Sequence, residues 1–201
     1  MRFCIREFFS KMTYFLLLVL SGCSNNPSAD SSIIFRMSIK TEPPTLDGTL
    51  ATDSVSVTIL ANLMEGLTQY DADLNPIPAV AKRWGYSNEG QTITFYLRDD
   101  VYWSDGKKVT AEDFEYSWKR LLAPETAAQY AYFLFDIKNA SEYNSGIIKD
   151  RDKVGVRAVA SDVLEVTLKK PVVYFPSITT FMVTFPLRED IIEKYGNSWT
   201  E

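Results

Sequence analysis

The sequence predicts an α+β fold with mixed sheets, hairpins and helices, because its strand-like and helix-like segments do not follow strict βαβ alternation. Thr92–Arg98 is a run of residues with high β-propensity and predicts a strand. Val154–Ala160 and Val163–Lys169 are two further β-prone runs, separated only by Ser161 and Asp162, which is typical of a compact hairpin. Apolar residues recur at helical spacing from Phe114 to Leu122 and predict an amphipathic helix.

The composition describes a globular chain without the usual catalytic side chains. The 201 residues are 46% hydrophobic, which is enough for one large or two small domains. Histidine is absent, and the two cysteines are Cys4 and Cys23, so the body lacks the common general base and a thiolate nucleophile. Lys and Arg total 21 against 26 Asp and Glu, so we expect no nucleic-acid partner. We therefore expect neither enzymatic activity nor a cofactor.

The N-terminus has the pattern of an export signal. Basic residues precede Met12–Leu20, an apolar run that is too short to cross a bilayer of about 30 Å as a helix. It ends in Leu20-Ser21-Gly22-Cys23, which resembles the lipobox of bacterial lipoproteins. The resemblance implies a signal peptide over residues 1–22 and acylation of Cys23, whereas a secretory signal with a chance cysteine is the alternative. The small polar residues that follow predict a flexible tether over residues 23–32.

The first part of the body is expected to contain a strand and a helix. Ile33–Lys40 alternates in part and predicts a buried strand. Apolar residues at helical spacing predict a helix over Asp53–Met64, with Asp53 or Ser54 as its N-cap. Gly66 suits the left-handed position that often ends a helix.

The next segment predicts a hairpin. Leu67–Tyr70 is expected to be a short strand, and Asp71, Asp73 and Asn75 are turn residues. The same three oxygen-bearing residues have the spacing of a calcium loop, but Pro76 stands where an EF-hand requires Gly. We therefore expect a turn here. Pro78–Trp84 is compatible with a short helix or an irregular sheet edge.

The stretch from Trp103 to Trp118 combines a turn and a helix start. Ser104-Asp105-Gly106 predicts a tight turn, and Thr110 is a suitable N-cap for the helix that follows. Pro124 is expected to end that helix.

A second, aromatic-rich helix is predicted over Thr126–Phe135, and its aromatic residues are interpreted as core rather than site; they are Tyr130, Tyr132, Phe133 and Phe135. Asn139–Gly146 is expected to be a short helix or loop. Asp190–Tyr195 is expected to be a helix that ends at Gly196.

Several segments together carry a resemblance to a known family, and they occur in its order and spacing; they are Glu42–Asp47, Glu65–Leu67, Pro78–Trp84, Thr92–Arg98, Trp103–Trp118, Pro124–Tyr130, Pro171–Phe175 and Glu193–Trp199. The chain resembles the oligopeptide-binding lipoproteins of ABC importers, the peptide and nickel type of extracytoplasmic solute-binding protein. The resemblance implies an incomplete periplasmic-binding-protein-like clamp, of which this chain is the N-terminal portion. It also implies domain boundaries: residues 33–64 begin domain I, residues 65–186 form an inserted domain II, and residues 187–201 return to domain I.

The resemblance also implies which residues bind the ligand. Thr52, Asp53 and Ser54 match the first ligand-contacting stretch, although Thr52 stands where a better-known member has an acidic residue. Tyr130 matches a tyrosine that contacts peptide. The alternatives are that Asp53 or Ser54 only caps a helix and that Tyr130 is only a core residue.

The resemblance further implies the partners and the location of the protein. The expected partners are oligopeptides, the permease subunits of an ABC transporter, and the membrane through the lipid on Cys23. We expect a monomer at the extracytoplasmic face of a bacterial cell membrane or in the periplasm. Related clamps carry dipeptides, nickel chelates or haem, and a surface adhesin or interaction lipoprotein is the alternative from another class.

Overall fold

The computed structural model describes residues 35–200, and the residues from Ile39 onward form one compact unit. The predicted signal peptide, the tether and Cys23 lie outside the described residues. Within residues 35–200, no helix combines the length and the apolar composition needed to cross a membrane. The domain boundaries proposed from the resemblance stay a prediction.

The elements of the described part alternate between hairpins and helices. The strands are β1 (Thr68–Tyr70), β2 (Pro76–Pro78), β3 (Ala81–Ser87), β4 (Thr92–Leu97), β5 (Val156–Ala160) and β6 (Val163–Thr167). The helices are α1 (Ser54–Leu63), α2 (Ala111–Leu122), α3 (Ala140–Asn144), α4 (Phe175–Ile178) and α5 (Glu189–Tyr195). Short 3-10 turns lie between them, at Asn88–Gly90, Pro124–Thr126, Ala131–Leu134, Arg151–Lys153, Met182–Thr184 and Gly196–Ser198. The predicted α+β class is confirmed.

The larger sheet is antiparallel throughout, with strand order β3-β4-β6-β5. The predicted strand after residue 91 is β4, and the hairpin around Ser161 and Asp162 joins β5 to β6, so both predictions are confirmed. The 78–84 segment leads into β3, which is an edge strand with an irregularity between Ala81 and Arg83. Of the two expectations for this segment, the irregular edge is therefore confirmed and the helix is wrong.

Helix α2 covers the sheet and packs against β5 and β6. Its spacing was predicted correctly, because Phe114, Trp118 and Leu121 are all fully buried. The indole Nε1 of Trp118 donates to the carbonyl of Thr184 at 2.8 Å, so the largest buried side chain has no unsatisfied polar group. The core thus depends on a helix whose apolar face could be predicted from the spacing of its apolar residues.

The start of α2 is fixed by a polar network that extends the predicted cap. The backbone N–H of Thr110 donates to Asp113 Oδ2 at 2.9 Å, and the indole Nε1 of Trp103 donates to the same oxygen at 3.2 Å. Burial raises the pKa of Asp113 above its ordinary value, against the effect of these hydrogen bonds. Gly106 has φ +85° in the preceding turn, the left-handed region that glycine adopts without strain.

The strand predicted over Ile33–Lys40 is wrong in its described part. Residues 35–40 adopt no strand, and Phe35 is 74% exposed. A strand requires another strand to satisfy its backbone groups, and within residues 35–200 no strand pairs with these residues. The alternating pattern is present in the sequence, but a pattern of this kind does not show whether another strand is available for pairing.

The predicted left-handed helix end at Gly66 is also wrong. Helix α1 already ends at Leu63, with an extended Met64 as its C-cap. Gly66 is needed for close approach instead, because a Cβ built there would contact the carbonyl oxygen of Thr179 and lie 2.7 Å from Cε1 of Phe185. A lone glycine in a sequence does not distinguish these two roles.

The predicted hairpin turn at residues 71–76 is confirmed, because β1 and β2 pair across it. Oδ1 of Asp71 accepts hydrogen bonds from the backbone N–H of Asp73 at 2.9 Å and of Asn75 at 2.8 Å. The carboxylate therefore holds the turn, which is the behaviour expected of Asp in this position.

The second long helix predicted over Thr126–Phe135 is wrong, since this region contains only the 3-10 turns on either side of Ala127. Ala127 has φ 50°, a left-handed conformation that interrupts any regular helix. The end of α2 at Leu122, the short helix α3 and the helix α5 before Gly196 are confirmed.

Candidate functional site

A hydrogen bond joins the two segments that the sequence singled out for ligand binding. The hydroxyl of Tyr130 donates to the carbonyl oxygen of Thr52 at 3.3 Å. The two residues are 78 positions apart, so only the tertiary fold brings them together. Thr52 and Ser54 are exposed, whereas Tyr130 is half-buried.

Asp53 is the N-cap of α1. Its Oδ1 accepts hydrogen bonds from the backbone N–H groups of Val55 at 3.0 Å and Ser56 at 2.9 Å. Hydrogen bonds from Ser56, and then from the Val55 amide, hold the pKa of Asp53 below its ordinary value. The carboxylate thus has a structural task, and Asp53 rather than Ser54 performs the capping that the sequence left open between them.

Three aromatic side chains surround Tyr130 and form with it what we name the aromatic patch; its four members are Tyr130, Tyr132, Phe133 and Phe181. Tyr132 stacks on Phe133 with ring centroids 4.8 Å apart, and Phe133 lies 4.9 Å from Phe181. The patch packs against the core from outside, and Tyr132 remains 55% exposed. The core interpretation of the 130–135 aromatics is therefore only half correct: Tyr130, Phe133 and Phe135 pack against the core while only partly buried, and Tyr132 is mostly exposed.

A buried ion pair anchors the segment that leads to Thr52. Asp47 Oδ2 lies 2.6 Å from Nη2 of Arg120, and Asp47 Oδ1 lies 2.9 Å from Nη1 of the same guanidinium. The indole Nε1 of Trp199 donates to Asp47 Oδ2 at 3.2 Å, and the Thr49 N–H donates to Asp47 Oδ1 at 3.0 Å. Sequence reasoning missed this cluster, because nothing near Asp47 in the sequence indicates a partner 73 residues away.

Two concave regions of the described residues lie apart from Thr52 and Tyr130. A polar groove of about 620 Å³ is bordered by α2 and β5 and contains Lys119, which bridges Glu115 at 2.6 Å and Asp152 at 2.9 Å. A smaller, more apolar hollow of about 330 Å³ lies between Trp103 and Trp199. Neither is lined by Thr52 or Tyr130, so volume alone does not identify the candidate site.

The candidate residues offer hydrogen-bonding groups and apolar surface. Within residues 35–200, no three His, Cys, Asp or Glu side chains are grouped so that they could hold a metal ion. The Tyr130 hydroxyl, the Thr52 carbonyl and the Ser54 hydroxyl offer hydrogen bonds, and the aromatic patch offers apolar surface. This combination suits a ligand that carries main-chain amides and side chains.

Comparison with known proteins gives relatives whose names describe peptide binding. The oligopeptide-binding protein OppA of Bacillus subtilis is 42% identical over 186 residues, covering 88% of this chain and 34% of the relative. A dipeptide-binding protein of Lactococcus lactis subsp. cremoris is 36% identical over 182 residues, covering 90% of this chain and 32% of the relative. The chain thus spans about a third of the length of the curated relatives it matches.

Solved structures share the fold. The substrate-binding domain of an oligopeptide ABC transporter from Bacillus anthracis superposes with a TM-score of 0.78 at 41% identity, covering 82% of this chain and 32% of that one. The expected partial periplasmic-binding-protein-like fold is thereby confirmed. Residues 75–201 match the middle region of a family of bacterial solute-binding proteins, which is more than half of the sequence. The chain therefore belongs to the bacterial extracellular solute-binding proteins, family 5.

Proposed function

We propose that this chain forms part of the peptide-binding surface of an extracytoplasmic solute-binding protein, which delivers peptides to the permease of an ABC importer. The hydrogen bond from Tyr130 to Thr52 carries the proposal, because it joins the two segments predicted to contact ligand, beside the partly exposed aromatic patch. Relatives whose names describe binding of oligopeptides and dipeptides support the choice of ligand.

The proposed binding mode is the addition of an extended peptide through main-chain hydrogen bonds. The Tyr130 hydroxyl would exchange the Thr52 carbonyl for a peptide carbonyl, and the freed Thr52 carbonyl would accept a peptide N–H. Side chains of the peptide would contact the aromatic patch, in which Tyr132 is 55% exposed and the other three rings are partly buried. Asp53 would support the segment as a helix cap rather than contact the ligand itself.

The protein is proposed to bind without catalysing a reaction. The candidate site offers hydroxyls, a carbonyl and aromatic rings, and its carboxylate, Asp53, is engaged with backbone N–H groups. A general acid or base requires a titratable group within reach of the substrate and free to exchange a proton. Family membership supports a role in solute binding.

We further propose that the protein is a monomer held at the extracytoplasmic face of the membrane by a lipid on Cys23. The residues Leu20-Ser21-Gly22-Cys23 support this location through their lipobox pattern. Metabolic labelling with a fatty-acid analogue tests it: wild-type protein should incorporate the label and the Cys23→Ser variant should not. Equal labelling of both would contradict lipidation at this residue.

Peptide titration tests the ligand. We expect mixed tri- to pentapeptides to bind the chain weakly, with nuclear magnetic resonance shifts concentrated at Thr52–Ser54 and Tyr130. Tyr130→Phe removes one hydroxyl and should weaken binding by up to about tenfold, the value of one hydrogen bond.

Tyr86→Phe is the matched control, because the Tyr86 hydroxyl donates to the Val173 carbonyl at 3.4 Å in another part of the fold. It should leave peptide affinity unchanged. The absence of binding by every peptide, or an equal loss in both variants, would overturn the proposal. A series that begins with dipeptides also tests the second ligand class, which the Lactococcus relative supports.

A further inference from the structure

The segment that leads to Thr52 is a buried turn rather than a free loop. Asp47, Thr49 and Ala51 are all buried. The Asp47 carbonyl accepts hydrogen bonds from the N–H groups of Leu50 at 3.0 Å and Ala51 at 2.9 Å. Thr52 follows directly, so the position of its carbonyl depends on how this turn is held.

Arg120 holds the turn from outside. Its two terminal nitrogens engage both oxygens of Asp47, and Nη1 also donates to the hydroxyl of Thr49. A bidentate guanidinium fixes orientation as well as distance, because its planar fork matches the carboxylate. The side chains are 7% exposed for Asp47 and 17% for Arg120, so water competes little for the pair.

The 120–130 stretch contacts the segment from Asp47 to Thr52 at two points. Arg120 lies in the last turn of α2, and Tyr130 follows ten positions later, beyond the turns that α2 leads into. Arg120 contacts Asp47 at the start of the segment, and Tyr130 contacts Thr52 at its end. Two separated attachments define both the place and the direction of the residues between them.

We propose that Arg120 is a positioning residue for ligand binding, which acts through Asp47 to hold the Thr52–Ser54 segment at hydrogen-bonding distance from Tyr130. This inference rests on the proposed function for its consequence, because the segment matters only if a ligand uses it. Arg120 does not itself need to touch the ligand. Trp199 assists by donating to the same carboxylate.

A second arginine provides the comparison. Arg188 pairs with Asp105 at 2.8 Å and with Asp190 at 2.7 Å, and these acids are 52% and 50% exposed. This pairing ties the 104–106 turn to α5, and the Arg188 guanidinium donates its hydrogen bonds to Asp105 and Asp190 rather than to residues 47–54. Arg188→Lys therefore changes an arginine–carboxylate pair without touching the turn before Thr52.

Hydrogen exchange of the full chain tests the positioning directly. Arg120→Lys keeps the charge but loses the fork, so the amides of Leu50, Ala51, Val55 and Ser56 should exchange about tenfold faster. The amide of Phe95 in β4 should change by less than about twofold, because local opening does not require global unfolding. Arg188→Lys should leave the exchange rates of the 50, 51, 55 and 56 amides unchanged.

A double-mutant cycle in peptide affinity tests the consequence for binding. Tyr130→Phe should weaken binding several-fold in the wild-type and Arg188→Lys backgrounds, but by less than about twofold after Arg120→Lys, because residues in one network are coupled. An effect that only lowered global stability would be additive in this cycle.

The outcomes separate the two proposals. If no peptide binds the wild-type chain, the proposed function fails, and the exchange experiment alone decides the positioning of the turn. Unchanged exchange at Leu50 and Ala51 in folded Arg120→Lys, or equal acceleration by Arg188→Lys, would overturn the inference. If Arg120→Lys does not fold, Trp199→Phe is the milder variant to use. It removes one hydrogen bond to Asp47 and should raise the exchange rates of the Leu50 and Ala51 amides.

Discussion

Two groups of aromatic side chains in the described part of the chain differ in exposure. The core cluster consists of Phe114, Trp118 and Phe175, which are fully buried, with Trp118 and Phe175 in edge-to-face contact at 6.0 Å. The aromatic patch around Tyr130 is only partly buried. Helical periodicity turns Phe114 and Trp118 to the buried face of α2, whereas the irregular turns around Ala127 leave the neighbouring aromatic residues at the edge of the core. Aromatic content by itself therefore does not indicate burial; the position of each ring relative to the core decides it.

The two clusters share one segment of chain. Phe175 and the Thr184 carbonyl belong to the core side, where Thr184 accepts the hydrogen bond from Trp118. Phe181 lies between them in sequence and contributes to the patch. The aromatic patch thus packs on the core. Matched substitutions in the two clusters allow their contributions to stability to be compared.

The largest expected effect comes from truncating a core ring. Phe114→Ala should lower the free energy of unfolding by about 4 kcal/mol, because the fully buried ring leaves a cavity behind. Phe133→Ala, the matched change in the patch, should cost only about 1 kcal/mol, since part of its ring already faces solvent. Urea unfolding of both variants measures the difference. Equal costs would mean that the patch is part of the core after all.

The next effect concerns the ion pair between Asp47 and Arg120, which joins the turn before Thr52 to the end of α2. Asp47→Asn should cost about 3 kcal/mol at pH 7, because it leaves the mostly buried Arg120 without its counter-charge. The variant carries the same side-chain volume, so packing is not the variable.

This link also predicts a pH dependence. Burial by itself raises the pKa of Asp47, but hydrogen bonds from Arg120 and Thr49 outweigh that effect and hold the pKa below its ordinary value. A lowered folded-state pKa gives stability that is fully present above the ordinary Asp pKa of about 4 and is lost as the pH falls through the folded value. The difference in unfolding free energy between wild type and Asp47→Asn should shrink from pH 7 to pH 3. A constant difference would contradict the linkage.

The smallest effect probes the segment that the clusters share. Gly66→Ala should cost about 2 kcal/mol, because the new methyl group would press against the Thr179 carbonyl and the Phe185 ring. Gly85→Ala is the control, since a Cβ there meets no atom within 4 Å and should change stability by less than about 0.5 kcal/mol. Thermal unfolding distinguishes the two variants. Similar melting temperatures would mean that the 179–185 segment yields without cost.

Local chemistry made much of the fold predictable. The turn at Gly106, the cap at Thr110 and the hairpin at Ser161 each depend on residues within a few positions, so sequence reasoning located them. Two of the failed predictions are the strand of Ile33–Lys40, in its described residues 35–40, and the helix over Thr126–Phe135. A strand needs a paired strand and a helix needs an uninterrupted backbone, and neither condition can be read from apolar periodicity.

The candidate site was predictable only in part. Resemblance to a family pointed to Thr52–Ser54 and Tyr130, and their role in ligand binding stays a prediction. The hydrogen bond between Tyr130 and Thr52 was not readable from the residues, and neither was the capping by Asp53 in preference to Ser54. Arg120 had no local signal, because its partner is distant in sequence.

The sequence by itself determined the α+β class, most of the hairpins and helices, and the family resemblance, because these follow from short-range periodicity, turn chemistry and ordered motifs. Tertiary structure alone decided which aromatics remain exposed, why Gly66 must lack a side chain, and how Asp47 meets Arg120 and Trp199. The physical reason is that burial and ion pairing depend on atoms brought close by packing, and the separation of residues along the chain carries no information about that distance.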